Sequence, residues 1–281
     1  MDTLQALIMG IVQGLAEYLP ISSSGHLEIC RDLLGLDLTG AESLEFEVLL
    51  HVATVLSTIV VLWREFVPLC VSLFTWRRDA RFYYVLKILL SCIPVGIVGV
   101  CFKKTIEGFF GQELGTVGIC LCVTAALLAL SYFTRTRGAN AAAGSADAGA
   151  ERGRDISWLD AFVIGCAQAV AVLPGLSRSG TTIATGILLG DKRAQVARFS
   201  FLMVINPILG EALLDLKDYL TEPAATATAT IGAVPMIVGF LASFLVGCAA
   251  CRWMLDIVRR GRLVWFALYC LAVGLVCIIF S

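Results

Sequence analysis

Long apolar runs constrain this chain more than any other feature of its sequence. Hydrophobic residues make up 58% of its 281 residues and charged residues only 15%, whereas a soluble domain carries about 25% charged residues. A helix that crosses a bilayer needs about 20 apolar residues. Runs close to that length lie at residues 45–63, 82–102, 113–133, 195–217, 228–250 and 262–280. The sequence therefore predicts an all-α polytopic membrane protein with six transmembrane helices.

Two further apolar stretches do not have the pattern of simple spans. Residues 3–36 are interrupted between Pro20 and Gly25, and residues 157–190 are interrupted by a similar group of proline, glycine and serine residues. Irregular backbone at membrane depth is tolerated only where it is buried in protein or lines a wet cavity. We therefore expect each stretch to form a re-entrant helical hairpin made of two half-helices.

The two interrupted stretches also resemble each other. Gln13 corresponds to Gln168 at an offset of 155 residues (168 − 13), and after a slip of one residue Ser23 corresponds to Ser177 at an offset of 154 (177 − 23). Each repeat then contains one hairpin and three spans. Because three is odd, the second repeat starts on the opposite face of the membrane, which predicts an inverted-topology repeat.

The domain organisation and the orientation follow from this repeat. We predict one membrane domain over 1–281, in which inverted repeats 1–137 and 155–281 are joined by a flexible Ala/Gly-rich linker, 138–154. Fifteen Lys and Arg residues fall on the side of this linker and four on the other side, so the linker is expected to be cytoplasmic and both termini outside. The net charge of −1 and the lack of a basic tail give no indication of nucleic-acid binding.

The first interrupted stretch carries several polar groups. Gln13 and Glu17 are four residues apart and share one helical face. The serines that follow Pro20 predict a helix N-cap, which leaves backbone N–H groups free in front of the helix. Glu17 is a candidate proton acceptor or metal ligand, and Ser23 and His26 are candidate nucleophiles. Candidate phosphate-binding residues in this stretch are Ser22, Ser24 and Gly25.

Arg178 lies at the break in the second stretch. Inserting an arginine side chain into the membrane costs at least about 2.5–3.5 kcal/mol, so an anionic partner is expected. The planar guanidinium of arginine suits phosphate. If Arg178 only paired with Glu17, the hydroxyl groups around it would have no purpose. The candidate phosphate-binding residues here are Gly175, Ser177, Ser179, Gly180 and Thr182.

Together these groups favour phosphoryl transfer, which requires positioning, charge neutralisation and an activated attacking group. A site within the membrane implies a substrate with a lipid tail. His51 is a weaker candidate than His26, and we expect it to donate a helix–helix hydrogen bond. The 11 cysteines are scattered through apolar segments and are interpreted as packing residues.

Two long motifs closely resemble those of the undecaprenyl-diphosphate phosphatase family, bacterial membrane proteins linked to bacitracin resistance. They are Gln13-x-x-x-Glu17 followed by the segment from Leu19 to His26, and the segment from Pro174 to Gly180. The resemblance covers nearly the whole chain. It implies hydrolysis of undecaprenyl diphosphate to undecaprenyl phosphate and inorganic phosphate, which recycles the carrier lipid for cell-wall synthesis.

The resemblance also implies six spans with two re-entrant hairpins in the bacterial inner membrane, a site that opens outward, and a divalent cation, Mg²⁺ or Ca²⁺. It further implies that bacitracin competes for the substrate, and it allows a homodimer. It assigns Ser177, Arg178 and Ser179 to the phosphate-binding loop. The chain departs from the family at Gln13, where many members have glutamate. The metal would then have Glu17 and an amide rather than two carboxylates.

The sequence leaves the attacking group open. Ser23 with Glu17 as its base and His26 as a direct nucleophile both fit the spacing. We favour Ser23, with His26 protonating the leaving phosphate or steering the water.

Three other functions compete with this interpretation. A polyprenyl-phosphate transporter or flippase would use the same broken helices and Arg178, but it needs no nucleophile. The phosphatidate-phosphatase superfamily also uses a Ser-Gly-His and a Ser-Arg, but it has a histidine six residues after that arginine. This chain has Ala184 at that position, which excludes the superfamily. An inactive membrane scaffold would leave the burial of Glu17 and Arg178 unexplained.

Overall fold

A computed structural model describes residues 1–36, 40–102, 114–141, 153–210, 212–213 and 231–281, with only the backbone described at 40–44 and 135–141. Within these ranges the chain is helical, apart from turns and one isolated parallel bridge between Arg154 and Asp191. The main helices are α1 (Thr3–Ala16), α2 (Ser23–Leu34), α3 (Gly40–Val61), α4 (Trp63–Phe74), α5 (Ala80–Cys101), α6 (Leu114–Ala141), α7 (Trp158–Val170), α8 (Arg178–Leu188), α9 (Arg193–Met203), α10 (Ala233–Arg260) and α11 (Val264–Ile279).

Both interrupted stretches are broken helix pairs, as predicted. The first is α1 and α2 with a break at 17–22, and the second is α7 and α8 with a break at 171–177. Each second half-helix begins at a serine N-cap. Ser22 Oγ accepts a hydrogen bond from the Gly25 N–H at 3.2 Å, and Ser177 Oγ accepts one from Gly180 at 3.1 Å.

These caps correct the predicted alignment of the repeat. The capping residues Ser22 and Ser177 are 155 residues apart (177 − 22), whereas the ends of the preceding half-helices, Ala16 and Val170, are 154 apart (170 − 16), so the slip lies within the breaks and is reversed at the caps. Ser23 therefore corresponds to Arg178 and not to Ser177. The sequence comparison aligned the prolines, whereas the capping hydrogen bond sets where each helix starts.

The described residues include three helices that are long and apolar enough to cross a membrane: α5, the segment Leu114–Thr134 of α6, and α10. A fourth crossing is possible if α3 and α4 are one span, bent by 90°. The chain is thus a multi-pass membrane protein. The predicted span 45–63 lies within α3 except for its last two residues, and the chain then turns sharply at Leu62, where the apolar run meets Arg64 and Glu65.

The described part of the predicted span 195–217 is helical but interrupted. Helix α9 ends at Met203, a turn follows at Val204, and a short helical segment resumes at 205–210. Pro207 has no N–H to donate to the Met203 carbonyl, and its ring clashes with that carbonyl. Cys92 Sγ donates to the Met203 oxygen instead, at 3.5 Å.

The ends of the other predicted spans lie closer to the ends of the observed helices or fall outside the described residues. Residues 217 and 228 lie outside the described part of the chain, and α10 continues to Arg260. Helix α11 has 16 residues, fewer than the length at which it would count as a clear span. The six-span arrangement therefore stays a prediction.

Packing places the two breaks in the interior of the bundle. Helix α1 packs along α10, α7 packs along α5, and α6 packs against both α8 and α11. The backbone groups of the breaks are held by these neighbours. Thr124 Oγ1 of α6 accepts from the Ser177 N–H at 3.1 Å, and Cys270 Sγ of α11 donates to the Pro20 carbonyl at 3.3 Å. Two cysteines that were interpreted only as packing residues thus satisfy carbonyl groups beside broken helices.

The predicted linker 138–154 is partly structured at both ends. Helix α6 continues to Ala141, and residues 142–152 lie outside the described part. The backbone of Arg154 pairs with Gly190 and Lys192 at 3.1 and 3.0 Å. Its guanidinium lies 2.6 Å from Asp160 and 3.6 Å from Asp191, both of which are buried. These acids require a cation, which explains why Arg154 is fixed.

Replacing Arg154 by glutamine should destabilise the protein. It removes the guanidinium that pairs with two buried carboxylates, but the arginine side chain itself is 57% exposed, so the loss should exceed the ~0–1 kcal/mol of a surface pair and stay below the ~3–5 kcal/mol of a fully buried one. Thermal unfolding of the purified protein in detergent would measure the loss. Arg260→Gln is the matched control, because the Arg260–Asp256 pair is exposed and such pairs contribute only about 0–1 kcal/mol. Equal shifts in melting temperature for the two variants would contradict the prediction.

Candidate active site

Glu17 is the polar centre of the first break. It follows the last residue of α1, and its carboxylate is buried, with 8% of the side chain exposed. Oε2 accepts hydrogen bonds from Gln13 Nε2 at 3.1 Å and from Ser23 Oγ at 2.8 Å. The face shared by Gln13 and Glu17 and the turn into α2 therefore bring an amide, an acid and a serine together. This is the arrangement of a nucleophile with a positioned base.

Arg178 reaches the same place from the second break. It is the first residue of α8, and its guanidinium attracts the Glu17 carboxylate electrostatically. Both residues line a cavity of about 20 Å³ together with Ser179 and Thr182, which is enough space for about one water molecule. The predicted proximity of Glu17 and Arg178 is confirmed.

Tyr18 fixes the first break to α3. Its hydroxyl donates to the Thr54 carbonyl at 2.6 Å and makes hydrogen bonds with the hydroxyls of Ser57 and Thr58 at 2.5 and 2.8 Å. The Tyr18 side chain also lines the cavity beside Glu17. Because Tyr18 is the next residue after Glu17, this cluster holds the acid in place.

The glycines of the two motifs allow the breaks to touch. A Cβ on Gly25 would lie 3.2 Å from the Gly175 Cα, and one on Gly180 would lie 3.1 Å from the Pro20 Cβ. Gly175 has φ = +86°, and a Cβ there would also lie 2.8 Å from the Val117 Cα. Close backbone approach thus explains these glycines. Their predicted role in phosphate binding stays a prediction.

The starts of α2 and α8 are suited to an anion. The caps use the N–H groups of the third residue in each helix, which leaves the N–H groups of Ser23, Ser24, Arg178 and Ser179 for a ligand. Ser22 has φ = 71° and ψ = 103°, a conformation that costs a non-glycine residue about 1–3 kcal/mol. Strain of this kind is common at functional sites.

The hydroxyls of both motifs hold the loops, and those of Ser179 and Thr182 belong to residues that also line the cavity. Ser24 Oγ lies 3.4 Å from Ser22 Oγ, and Ser179 Oγ lies at the same distance from Ser177 Oγ. Ser179 also donates to the Leu19 carbonyl of the other break at 3.3 Å, and Thr182 donates to the Arg178 carbonyl at 2.9 Å. Each oxygen keeps a lone pair or a rotatable proton for a ligand.

His26 has hydrogen-bond partners other than Glu17 and Ser23. Its Nδ1–H donates to the Ser22 carbonyl at 2.8 Å, and its Nε2 accepts from the Tyr269 hydroxyl at 2.8 Å. The two rings are stacked with their centroids 5.6 Å apart. Sequence reasoning missed Tyr269, because one tyrosine in an apolar helix gives no signal. The histidine thus reaches the site only if it exchanges Tyr269 for another partner.

His51, the weaker histidine candidate, was expected to donate a hydrogen bond between helices, but its donor nitrogen bonds within its own helix. Its Nδ1–H donates to the Glu47 carbonyl of its own helix at 2.8 Å, while its Nε2 lies 3.6 Å from Glu17 Oε2. The sequence feature that could have indicated His51 as a site residue is its place in an apolar run that also contains Glu47. The spacing from Glu17 gave no indication that the two side chains meet.

Oxygen ligands for a divalent cation are present, although few. Within the described ranges, no three side chains of His, Cys, Asp or Glu cluster as a metal site. Gln13 Oε1, however, is buried and has no hydrogen-bond partner among the described residues. Its amide group contacts Glu17, and carboxylate and amide oxygens suit hard cations, which also take waters and substrate phosphates. The residues therefore fit a cation that the substrate helps to hold.

Comparison with known proteins identifies the family. The family model described as "Bacitracin resistance protein BacA" matches residues 6–276, which include both breaks. The chain belongs to this family. This confirms the resemblance drawn from the two motifs.

Relatives within the family match over their full length. A protein of Parabacteroides distasonis is 51% identical, covering 99% of this chain and 98% of the relative, and one of Bacteroides fragilis is 50% identical, covering 100% and 99%. A protein of Oceanobacillus iheyensis is 36% identical, covering 97% and 94%. Each of these three is named undecaprenyl-diphosphatase.

Proposed function

We propose that this protein hydrolyses undecaprenyl diphosphate to undecaprenyl phosphate and inorganic phosphate, and so recycles the carrier lipid for cell-wall synthesis. The observation that carries the proposal is the 2.8 Å hydrogen bond from Ser23 to Glu17, beside the cavity that Glu17 shares with Arg178. The name shared by its full-length BacA relatives supports the same activity.

In the proposed mechanism Ser23 Oγ attacks the terminal phosphorus while Glu17 accepts its proton. The bond between that phosphorus and the bridging oxygen breaks, and undecaprenyl phosphate leaves. Water then attacks the phosphoserine and releases inorganic phosphate. Arg178 and the N–H groups at the starts of α2 and α8 neutralise the charge on the transferring group. His26 would protonate the leaving phosphate or steer the water after leaving Tyr269.

A divalent cation, Mg²⁺ or Ca²⁺, would be held by Glu17, Gln13 Oε1 and substrate oxygens. When bound, it supplies positive charge next to the diphosphate. Gln13 Nε2 keeps the carboxylate oriented through its 3.1 Å hydrogen bond to Oε2.

For the membrane arrangement we propose six spans and two re-entrant hairpins related by an inverted repeat. Two observations support this. The breaks touch each other, since Ser179 donates to the Leu19 carbonyl. The first half-helix of each repeat also packs on a helix of the other repeat, α1 on α10 and α7 on α5. The termini would face outward, with the site opening outward from the bacterial inner membrane. Bacitracin would compete for the lipid substrate, and two chains could form a homodimer.

A polyprenyl-phosphate transporter or flippase is the second candidate. Two broken helices that meet inside the bundle are typical of transporters. A transporter would need Arg178 and the helix starts but not the Ser23–Glu17 hydrogen bond. This bond favours the phosphatase.

Phosphate release from undecaprenyl diphosphate by the purified protein in detergent tests the choice. We expect turnover that stops with EDTA and returns when Mg²⁺ or Ca²⁺ is added. Shorter prenyl diphosphates, run in parallel, would define the chain-length preference. Saturable binding of the lipid without phosphate release would instead support the transporter.

A further inference from the structure

We infer that His51 is a direct ligand of the divalent cation, so that the metal site consists of Glu17, Gln13 and His51. The inference concerns the site used by the proposed function, but it depends only on the donor atoms of these three side chains.

The hydrogen bonds of the His51 ring fix which nitrogen is free. A carbonyl oxygen can only accept, so the contact with the Glu47 carbonyl at 2.8 Å places a proton on Nδ1. This orientation leaves Nε2 as the ring nitrogen that faces the site, and it lies 3.6 Å from Glu17 Oε2. A charge-assisted hydrogen bond would bring these two atoms to about 2.7–2.9 Å. At the observed distance the two atoms are not sharing a proton.

Arg178 already supplies positive charge beside Glu17, and a cation between Nε2 and Oε2 would in addition bind both buried donor atoms directly. Only 15% of the His51 side chain and 8% of the Glu17 side chain are exposed, so solvent screens little of this interaction. Two donor atoms bound to one ion at about 2.1 Å lie roughly 3.0–3.5 Å apart. The Nε2–Oε2 distance is close to that range.

Gln13 supplies a third unsatisfied donor. Its Nε2 is engaged with Glu17 Oε2 at 3.1 Å, while its Oε1 is buried and has no hydrogen-bond partner among the described residues. Leaving a buried acceptor unpaired costs about 1–3 kcal/mol. A cation at this point would satisfy the amide oxygen, the carboxylate and the imidazole together.

The second hydrogen bond of His51 is also typical of a metal ligand. Ligating histidines usually donate their other ring N–H to a carboxylate or a backbone carbonyl, which fixes the ring and makes the free nitrogen more basic. Glu47 O has this role here. Because imidazole favours transition metals over Ca²⁺ and Mg²⁺, the mixed nitrogen and oxygen set should bind Mn²⁺ more tightly than either of them.

The test uses the full-length protein in detergent, loaded with Mn²⁺ and without substrate. Electron spin-echo envelope modulation detects ¹⁴N bound directly to Mn²⁺, and the chain has only two histidines. We expect a ¹⁴N signal in the wild type that is lost in His51→Gln and kept in the matched variant His26→Gln. The Mn²⁺ affinity of His51→Gln should fall by at least the roughly 10–100-fold that loss of an outer-shell partner costs. Circular dichroism and the melting temperature would verify that both variants fold.

Three results would overturn the inference: no Mn²⁺ binding, a wild-type spectrum without ¹⁴N, or a ¹⁴N signal that persists in His51→Gln. None of them measures turnover, so this failure is distinct from failure of the proposed function. A protein that releases phosphate but shows no ¹⁴N signal would keep the function and lose the ligand. A protein with the ¹⁴N signal but no phosphate release would keep His51 as a ligand and contradict the proposed function.

Discussion

Ser23→Ala is expected to reduce kcat for phosphate release by roughly 10³–10⁶-fold, the range seen when the nucleophile of a hydrolase is removed. Ser23 donates its proton to Glu17 at 2.8 Å, and alanine leaves neither a nucleophile nor a proton for the acid to accept. Initial rates of phosphate release with undecaprenyl diphosphate would measure the loss. KM should change little, because Arg178 and the helix starts remain.

Ser24→Ala is the matched control for this prediction. The Ser24 hydroxyl has only a long contact, 3.4 Å to Ser22 Oγ, so we expect a loss below about tenfold, typical of one weak hydrogen bond. Near-native turnover in Ser23→Ala together with an inactive His26→Ala would show that the serine assignment is wrong. In that case the histidine would be the attacking group.

Arg178→Lys should lower kcat/KM by about 10²–10³-fold, the effect of removing one preorganised donor at a charged transition state. Lysine keeps the charge but cannot hold a phosphate with two parallel hydrogen bonds. Because the charge beside Glu17 remains, we expect the melting temperature to change little. Phosphate-release kinetics and thermal unfolding of the same preparation would separate the two effects.

Arg178→Ala provides the comparison. It also removes the positive charge that acts on the buried Glu17 carboxylate, so stability should fall as well as activity. If Arg178→Lys were fully active and Arg178→Ala lost only stability, Arg178 would serve to pair with Glu17 and not to bind phosphate. The hydroxyls around it would then need another explanation.

Local interactions explain what could be predicted from the sequence. The membrane class follows from the length of the apolar runs, and the breaks follow from proline and from serine caps whose hydrogen bonds span three residues. Gln13 and Glu17 meet because a helix places residues four apart on one face. Where such local rules were not applied, the prediction failed. Pro207 interrupts the expected span 195–217, and the cap at Ser22 moves the repeat by one residue.

Sequence patterns were enough to predict a helical membrane protein with two interrupted helix pairs, one carrying Glu17 and Ser23 and the other carrying Arg178. Which distant groups meet could be read only from the packing of the helices. Helix packing places Arg178 and Glu17 at one cavity. It also brings His51 into contact with Glu17 and allows His26 to hydrogen-bond to Tyr269. The physical reason is the separation in sequence of the interacting residues. Caps and helix periodicity act within about four residues, whereas these contacts join residues far apart in sequence and depend on how whole helices pack.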